Sequence, residues 1–500
     1  MFCPKCGKEI NEEVRFCKWC GVEMGEFLSE GREILEESSL KEKVVKLKAK
    51  NKFWGWVLEP YNAVFLIILL ISLIIRLKYQ FANAYWEDEA DYLLTVRRFF
   101  DSPYTFFTNS RFSKGFMLFP LIISFFKLIV GNLLLAGELS VIFCHIVGMI
   151  FIYLVGIELK NKTLGLMASI LLCFSSLYWF LSTRILTGVL LTTMFTVTMY
   201  GLIKFEKSDK KFWAFFLPIS MFLTILSRPP GLTILPIIGA YYLLNYKLRM
   251  FKLIKKKKYK IFLITLMILL GLYAVITVVN YEETFLKYAL EGYYFGRGKT
   301  QWHSDKPFFD AFFDNFRLSN VKHFFSPSLF LITVLVLGIL LLIFYRTRES
   351  YILLSFLLYI VLHSISQANV PRYMVPTVPT LILISSYALI EIKDNILTFL
   401  HKKNLNWPLN FVLIIIVIIL AFSSYKYGED LNYRLANYNY GGFREAANYL
   451  NENVKKEDLV LTSSDGFINA LSDLIYEEFG GNVVSLNQIN KTEFEGIIKN

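Results

Sequence analysis

The chain has 500 residues, of which 55% are hydrophobic, 17% aromatic and only 19% charged, and its mean hydropathy is +0.46. That balance excludes a soluble globular protein of this length and calls for a polytopic membrane protein. The formal net charge of +12 does not mark a nucleic-acid surface, because the basic residues cluster beside apolar runs, where they report topology.

Residues 1–24 carry two CxxC knuckles, Cys3-Pro4-Lys5-Cys6 and Cys17-Lys18-Trp19-Cys20, each followed by a glycine, Gly7 or Gly21. Four thiolates at this spacing suit one tetrahedral zinc ion, and the glycines allow the tight turns. Two disulfides are the alternative and need an oxidising compartment. The expectation is a structural zinc ribbon, closed to catalysis because protein fills all four positions. Such a ribbon places the N-terminus in the cytoplasm and offers a docking point for a cytoplasmic protein partner. Cys144 and Cys173 lie inside apolar runs and read as small hydrophobes. The linker 25–60 begins acidic and ends in a lysine run from Lys41 to Lys52. By the positive-inside rule this run also keeps the N-terminus inside, and the polar start leaves the first apolar run as an uncleaved anchor.

Apolar runs follow at 61–79, 133–157, 163–182, 184–203, 212–227, 229–246, 260–280, 327–345, 351–368, 374–391 and 409–426. A further run, 116–130, is short and contains Pro120, which suits an interfacial or re-entrant helix better than a span. If it does not cross, the basic connectors all fall on the cytoplasmic side: Lys160/Lys162, Lys204–Lys211, the Lys255–Lys258 tetrad, Arg346/Arg348 and Lys402/Lys403. The expectation is therefore a transmembrane domain over 61–426 of about eleven spans plus interfacial helices. The tail 427–500 reads as a small extracytoplasmic α/β segment, with helices at 443–453 and 467–479 and strands at 459–461 and 483–484.

Just beyond the first run, Tyr85-Trp86-Glu87-Asp88-Glu89-Ala90-Asp91-Tyr92 places four carboxylates within about one and a half helical turns at a membrane face. The same face carries Arg184, Arg228 and Arg372 at span ends. Arginines there point to an anionic ligand, with simple interfacial snorkelling as the bland alternative. Charges inside the runs are otherwise few, Glu138 being the exception noted.

The acidic stretch resembles the Asp-Glu motif of the polyprenyl-phosphate-dependent GT-C glycosyltransferases, with the protein O-mannosyltransferases and lipid A aminoarabinose transferases as the nearer relatives. Ser113-Lys114-Gly115-Phe116 is similar to that family's Lys-Pro-Pro-Leu segment, whose lysine contacts the lipid phosphate, but lacks its prolines. Arg184 resembles the arginine opening a later span, and Pro371-Arg372-Tyr373-Met374-Val375-Pro376 resembles an Arg-Tyr-x-x-Pro segment. The tail from Phe443-Arg444-Glu445 is also similar to the extracytoplasmic parts of such enzymes, so the likeness covers 80–500. It implies that a sugar passes from a lipid-linked donor to a protein, glycan or lipid acceptor on the outer face. It implies Asp88 as base with Glu89 in support. Lys114, Arg184, Arg372 and Arg228 would hold the leaving phosphate, and Asp91 would orient Asp88 or pair with a cation. Glu87 suits a helix N-terminus. Asp88, Glu89 and Asp91 also form an oxygen set that can hold a divalent ion. The oligosaccharyltransferase branch needs a second acidic motif, and 163–203 contains no acidic residue, so a metal-independent reaction is the expectation. The rival readings are a transporter or flippase of a lipid-linked or anionic solute, and a non-catalytic membrane sensor. Neither the loop 281–326, with His303, nor the Ser463-Ser464-Asp465-Gly466 turn is assigned a role.

Overall fold

The computed structural model describes residues 52–80, 87–101, 117–280, 313, 321–322, 325–365, 371–402, 409–437, 449, 452–453, 459–462 and 482–485. The four ribbon cysteines, Lys114, the 281–312 part of the outer loop and the expected helix 467–479 lie outside these residues.

The chain divides into two compact units, Met1–Leu66 and Ile67–Asn500. Within the first, a short helix Lys52–Val57 leads into a turn. There Asn62 donates through its backbone N–H to Glu59 Oε2 at 3.2 Å and through Nδ2 to the Trp56 carbonyl at 2.9 Å. These bonds hold the entry to helix α1 (Pro60–Gln80), which starts on the proline that suits a first helical position.

The described residues of the second unit are almost wholly helical. After α1 come α2 (Glu87–Asp101), α3 (Leu118–Val130), α4 (Leu133–Leu159), α5 (Lys162–Cys173), α6 (Ser176–Leu181), α7 (Thr187–Lys207) and α8 (Lys211–Ser227). A 3₁₀ turn at Pro229–Thr233 precedes α9 (Ile234–Tyr246) and α10 (Lys257–Asn280). Then follow α11 (Leu329–Tyr345), α12 (Arg348–Ile365), a 3₁₀ segment Pro371–Thr377, α13 (Val378–Lys402) and α14 (Leu409–Asn437). Each of the eleven apolar runs read from the sequence has a helix. Among the described residues five helices are long and apolar enough to cross a membrane: Pro60–Tyr79, Leu133–Leu159, Thr187–Lys207, Arg372–Phe399 and Val412–Asp430. Helix α3, with 13 residues, reaches only about 20 Å and falls short of a bilayer core of about 30 Å. In the tail, β1 (Leu459–Thr462) and β2 (Asn482–Ser485) pair in parallel with Val460 opposite Val483, over the short apolar runs read as strands at 459–461 and 483–484.

Helix α7 and the helix from Arg372 are the most enclosed of the five, and α1 and α14 the least. Helices α4, α7 and α8 pack side by side around a core that includes Met149, Leu190, Phe195 and Leu217. Helices α4 and α5 approach each other backbone to backbone. A Cβ on Gly156 would lie 2.5 Å from Gly165 Cα, and one on Gly165 would lie 2.6 Å from the Tyr153 carbonyl oxygen. Where lipid surrounds a bundle, such backbone contact replaces the hydrophobic drive that water supplies elsewhere.

The two ends of the bundle differ in chemistry. At one end Lys160 pairs with Glu391 and Asp394 at 2.6 and 3.2 Å, Lys204 with Glu158 at 2.8 Å, and Lys207 with Glu349 at 3.4 Å. At the other end stand Arg184, Arg228 and the acidic start of α2. Helix α7 runs from one end to the other, and its 21 residues span about 30 Å, the thickness of a bilayer core.

Gly156→Ala should lower stability by about 1–3 kcal/mol, since backbone atoms must move to admit the methyl group. Gly271→Ala should not, because a Cβ there meets nothing within 4 Å. Thermal unfolding in detergent compares the two variants.

Candidate active site

Helix α2 begins on three acidic residues, Glu87, Asp88 and Glu89, where negative charge complements the helix dipole. Asp88 and Glu89 project about 100° apart around the helix. Glu89 shares its face with Tyr92, Leu93 and Val96, at spacings of three, four and seven, and all four are buried. Asp88 falls on the open side, with 41% of its side chain exposed.

The buried carboxylate closes the hinge between α6 and α7. Within that turn the N–H groups of Ser182, Thr183 and Arg184 bond back to carbonyls of α6. Glu89 Oε1 accepts from the next one, Ile185 N, at 2.7 Å, as a buried backbone donor requires. Its Oε2 lies 3.5 Å from Arg184 Nη1, with both side chains buried. Tyr92, one turn on, bonds Thr187 through its hydroxyl at 3.2 Å and packs edge-on against Phe119. Burial pushes the Tyr92 phenol up to about 12; the charge of Arg228 opposes that shift and the charge of Asp88 adds to it. Tyr92 is therefore a neutral hydroxyl at physiological pH.

Asp88 Oδ2 stands 3.1 Å from Arg372 Nη1. The 3₁₀ segment carrying Arg372 also presents Tyr373, whose ring lies 4.4 Å from Arg228 Cζ and 5.3 Å from Arg372 Cζ. Arg372 Nη2 reaches the Tyr373 hydroxyl at 3.5 Å. Arg228 arrives in an extended conformation at the end of α8, as a residue before proline must. Arg228, Arg372, Tyr373 and Pro230 line one narrow recess with Gly188 and Tyr359.

The structure thus brings together Asp88, Glu89, Arg184, Arg228 and Arg372 from four distant stretches of the chain. Asp91 is half-buried one turn after Asp88, and its carbonyl accepts from Thr95 Oγ1 at 2.8 Å. The arginines serve the carboxylates directly: Arg184 is an internal partner of Glu89, and Arg372 pairs with Asp88. Tyr373 joins two guanidinium groups, a role no sequence periodicity signals. The described residues contain no group of three or more His, Cys, Asp or Glu that could hold a metal ion.

One expectation is corrected. Glu138 is not the exceptional charge within the apolar runs, because Arg76 of α1 is fully buried as well. Its Nε donates to Ser182 Oγ at 3.0 Å, and among the described residues no carboxylate pairs with it. An arginine set between Ile75 and Leu77 was a signal legible in the sequence.

The helical fold that carries this cluster is shared with solved structures of ArnT and of an archaeal oligosaccharyltransferase. ArnT from Cupriavidus metallidurans in the apo state superposes with a TM-score of 0.57 and 14% identity over 90% of this chain and 89% of that one. Its form bound to undecaprenyl phosphate gives 0.55 and 14% over 89% and 88%. The archaeal oligosaccharyltransferase AglB from Archaeoglobus fulgidus, in complex with an inhibitory peptide and a dolichol-phosphate, gives 0.53 and 12% over 87% of this chain. The chain spans 65% of that protein's length and 64% of the apo form of the Archaeoglobus oligosaccharyltransferase, which it matches at a TM-score of 0.57. No curated protein matches in sequence. A family model described as "Domain of unknown function (DUF7575)" matches residues 1–25, the stretch that holds the two CxxC knuckles.

Removing one partner of the buried pair leaves the other charge stranded, so Arg184→Gln should cost about 3–5 kcal/mol. Glu89→Gln keeps an acceptor for Ile185 N and should cost less. Thermal unfolding of the purified variants ranks them, and equal stabilities would remove Glu89 as the anchor of the hinge.

Proposed function

We propose that the protein transfers a sugar, hexosyl or pentosyl, from a polyprenyl-phosphate-linked donor to an acceptor on the outer membrane face. The observation that carries this reading is the contact of Asp88 with Arg372 on a GT-C fold. A carboxylate able to take a proton and a guanidinium able to take a phosphate stand 3.1 Å apart. A lipid phosphate drawing Arg372 to itself leaves Asp88 with an uncovered oxygen beside the acceptor's hydroxyl or other nucleophile. Asp88 then takes the acceptor proton as a general base while the sugar–phosphate bond breaks. Arg372 and Arg228, preorganised around Tyr373, meet the charge that develops on the leaving phosphate. Glu89 and Arg184 hold the hinge and so position α2. Lys114, by its place in the resembling segment, is a further phosphate ligand, and Asp91 supports Asp88.

The remaining assignments belong to the same proposal. The transmembrane domain crosses about eleven times, with the N-terminus inside and the site and C-terminal α/β segment outside. Its support is the segregation of lysine-rich connectors to one end of the bundle and of the carboxylate–arginine cluster to the other. The ribbon at 1–24, followed by the linker 25–60, holds one structural zinc through Cys3, Cys6, Cys17 and Cys20, an assignment that rests on donor chemistry and spacing. Sugar transfer proceeds without a catalytic metal, in keeping with the lack of acidic residues over 163–203. A transporter would set its charges near the midplane on broken helices, whereas here they gather at one end.

Asp88→Asn should reduce sugar transfer by about 10²–10⁴-fold without lowering the melting temperature, and Arg372→Lys should raise the KM for the lipid-linked donor. Transfer to a labelled acceptor in reconstituted vesicles measures both, and an Asp88→Asn enzyme within a few-fold of wild type removes Asp88 from its role. For topology, a cysteine at Ser208 should be shielded from an impermeant thiol reagent applied outside intact cells.

A further inference from the structure

The basic end of the bundle contains a second polar site, at the opposite end of α7 from the carboxylate–arginine cluster. A cavity of about 350 Å³ is lined there by Glu206, Asp209, Tyr246, Lys256, Lys257, Lys258, Tyr259 and Arg348. That volume falls within the range of about 300–1,000 Å³ common to small-ligand sites.

The charges of this cavity do not cancel internally. Glu206 is buried, and its oxygens are taken by three phenols. Tyr242 and Tyr259 each donate to Oε1 at 3.1 Å, and Tyr246 donates to Oε2. Its carboxylate is thereby held by neutral donors. Asp209 pairs with Lys258 at 3.1 Å. Arg348 Nη1 donates only to the Glu206 carbonyl, at 3.4 Å. The lining sets Lys256, Lys257, Lys258 and Arg348 against Glu206 and Asp209, an excess of positive charge, and among the described residues Lys256, Lys257 and Arg348 form no ion pair with a carboxylate.

The helix that carries the lysines compounds this. Helix α10 starts at Lys257 and has no acidic residue in its first turn. The N–H groups of Tyr259 and Lys260 bond the Lys256 carbonyl, and first-turn N–H groups in general lack intrahelical acceptors. Lysines at a helix N-terminus oppose the macrodipole. A bound anion relieves both the mutual repulsion of the lysines and their conflict with the dipole. Immediately before the tetrad, Leu248, Phe251 and Ile254 are exposed by 78%, 60% and 45%. Apolar side chains flanking a cationic cavity at a bundle end suit the boundary between headgroups and acyl chains.

We propose that this cavity binds the phosphate of an anionic phospholipid headgroup, in the leaflet opposite the sugar-transfer site. Lys256, Lys257 and Arg348 hold the phosphate, and Leu248, Phe251 and Ile254 sit among the acyl chains. The naming of the leaflet as cytoplasmic rests on the orientation proposed above; the binding itself does not.

The test uses the full-length protein in nanodiscs of phosphatidylcholine with a minor fraction of phosphatidylglycerol. Lipid retained after transfer to detergent is counted by native mass spectrometry, and thermal unfolding is followed in parallel. Wild type should keep one phosphatidylglycerol and melt higher than in phosphatidylcholine alone. Lys256→Gln/Arg348→Gln should weaken retention by roughly tenfold or more, at about 1 kcal/mol per cation. Lys252→Gln/Lys255→Gln removes equal charge from the same face outside the cavity and should leave retention unchanged. Lys256→Arg/Arg348→Lys keeps the charge and should also retain the lipid, which separates binding from misfolding. Asp88→Asn protein should retain the lipid like wild type, so loss of sugar transfer and loss of this site are read independently. Equal retention by wild type and the cavity variant overturns the proposal. Displacement of the lipid's effect by inorganic phosphate alone, with equal stabilisation, assigns the cavity to a soluble phosphate and overturns the lipid as its occupant.

Discussion

The site depends on one buried carboxylate. Glu89 joins the start of α2 to the hinge before α7 by accepting from Ile185 N and pairing with Arg184. A carboxylate in so enclosed a place is costly unless both oxygens are met, and here a backbone donor and a guanidinium meet them. Because α2 is fixed through Glu89, the neighbouring Asp88 is fixed too, about 100° around the same helical turn and partly exposed. Burial of one acid therefore presents the other, and Arg372 can approach Asp88 from a segment nearly 300 positions away in the chain.

The same logic of paired charges organises the far end of the bundle, with different partners. There lysines at the ends of α4 and α7 meet carboxylates of α4, α12 and α13, which ties helix ends together where they leave the apolar layer. Glu206 is the contrast. Three tyrosines from α9 and α10 satisfy it, so its oxygens are met by neutral donors and not by a direct ion pair. One bundle thus carries an acid–arginine cluster at one end and an excess of cations at the other, separated by the length of α7.

The membrane class was legible from composition, and the helices from eleven apolar runs, because burial in lipid demands long apolar segments whatever their packing. The short helix at 118–130 and the strands at 459–462 and 482–485 followed from short apolar runs, while the parallel pairing of the strands did not. The acidic stretch and Arg372 were legible from their place at a membrane face, but Asp88 was singled out within that stretch only through a motif resemblance, and neither carried partner information. Arg76 was visible as a charge within an apolar run, yet its meeting with Ser182 joins positions 106 apart. Tyr373 stood in the segment resembling an Arg-Tyr-x-x-Pro motif without a role of its own, and the tyrosine cap on Glu206 gave no signal, because tyrosine at a membrane boundary is ordinary.

What the sequence by itself determined is which segments are apolar enough to leave water, where positive charge collects, and which acidic stretch lies beside the first of them. These are local properties, set by side-chain transfer energies that need no neighbours. Only the tertiary structure decided that Glu89 is buried and Asp88 only partly so, that Arg184 serves the first and Arg372 the second, and that Arg228 shares Tyr373 with Arg372. Those choices depend on which helices pack together, and a side chain's partner across a bundle is fixed by packing geometry and by the cost of leaving a buried charge unmet.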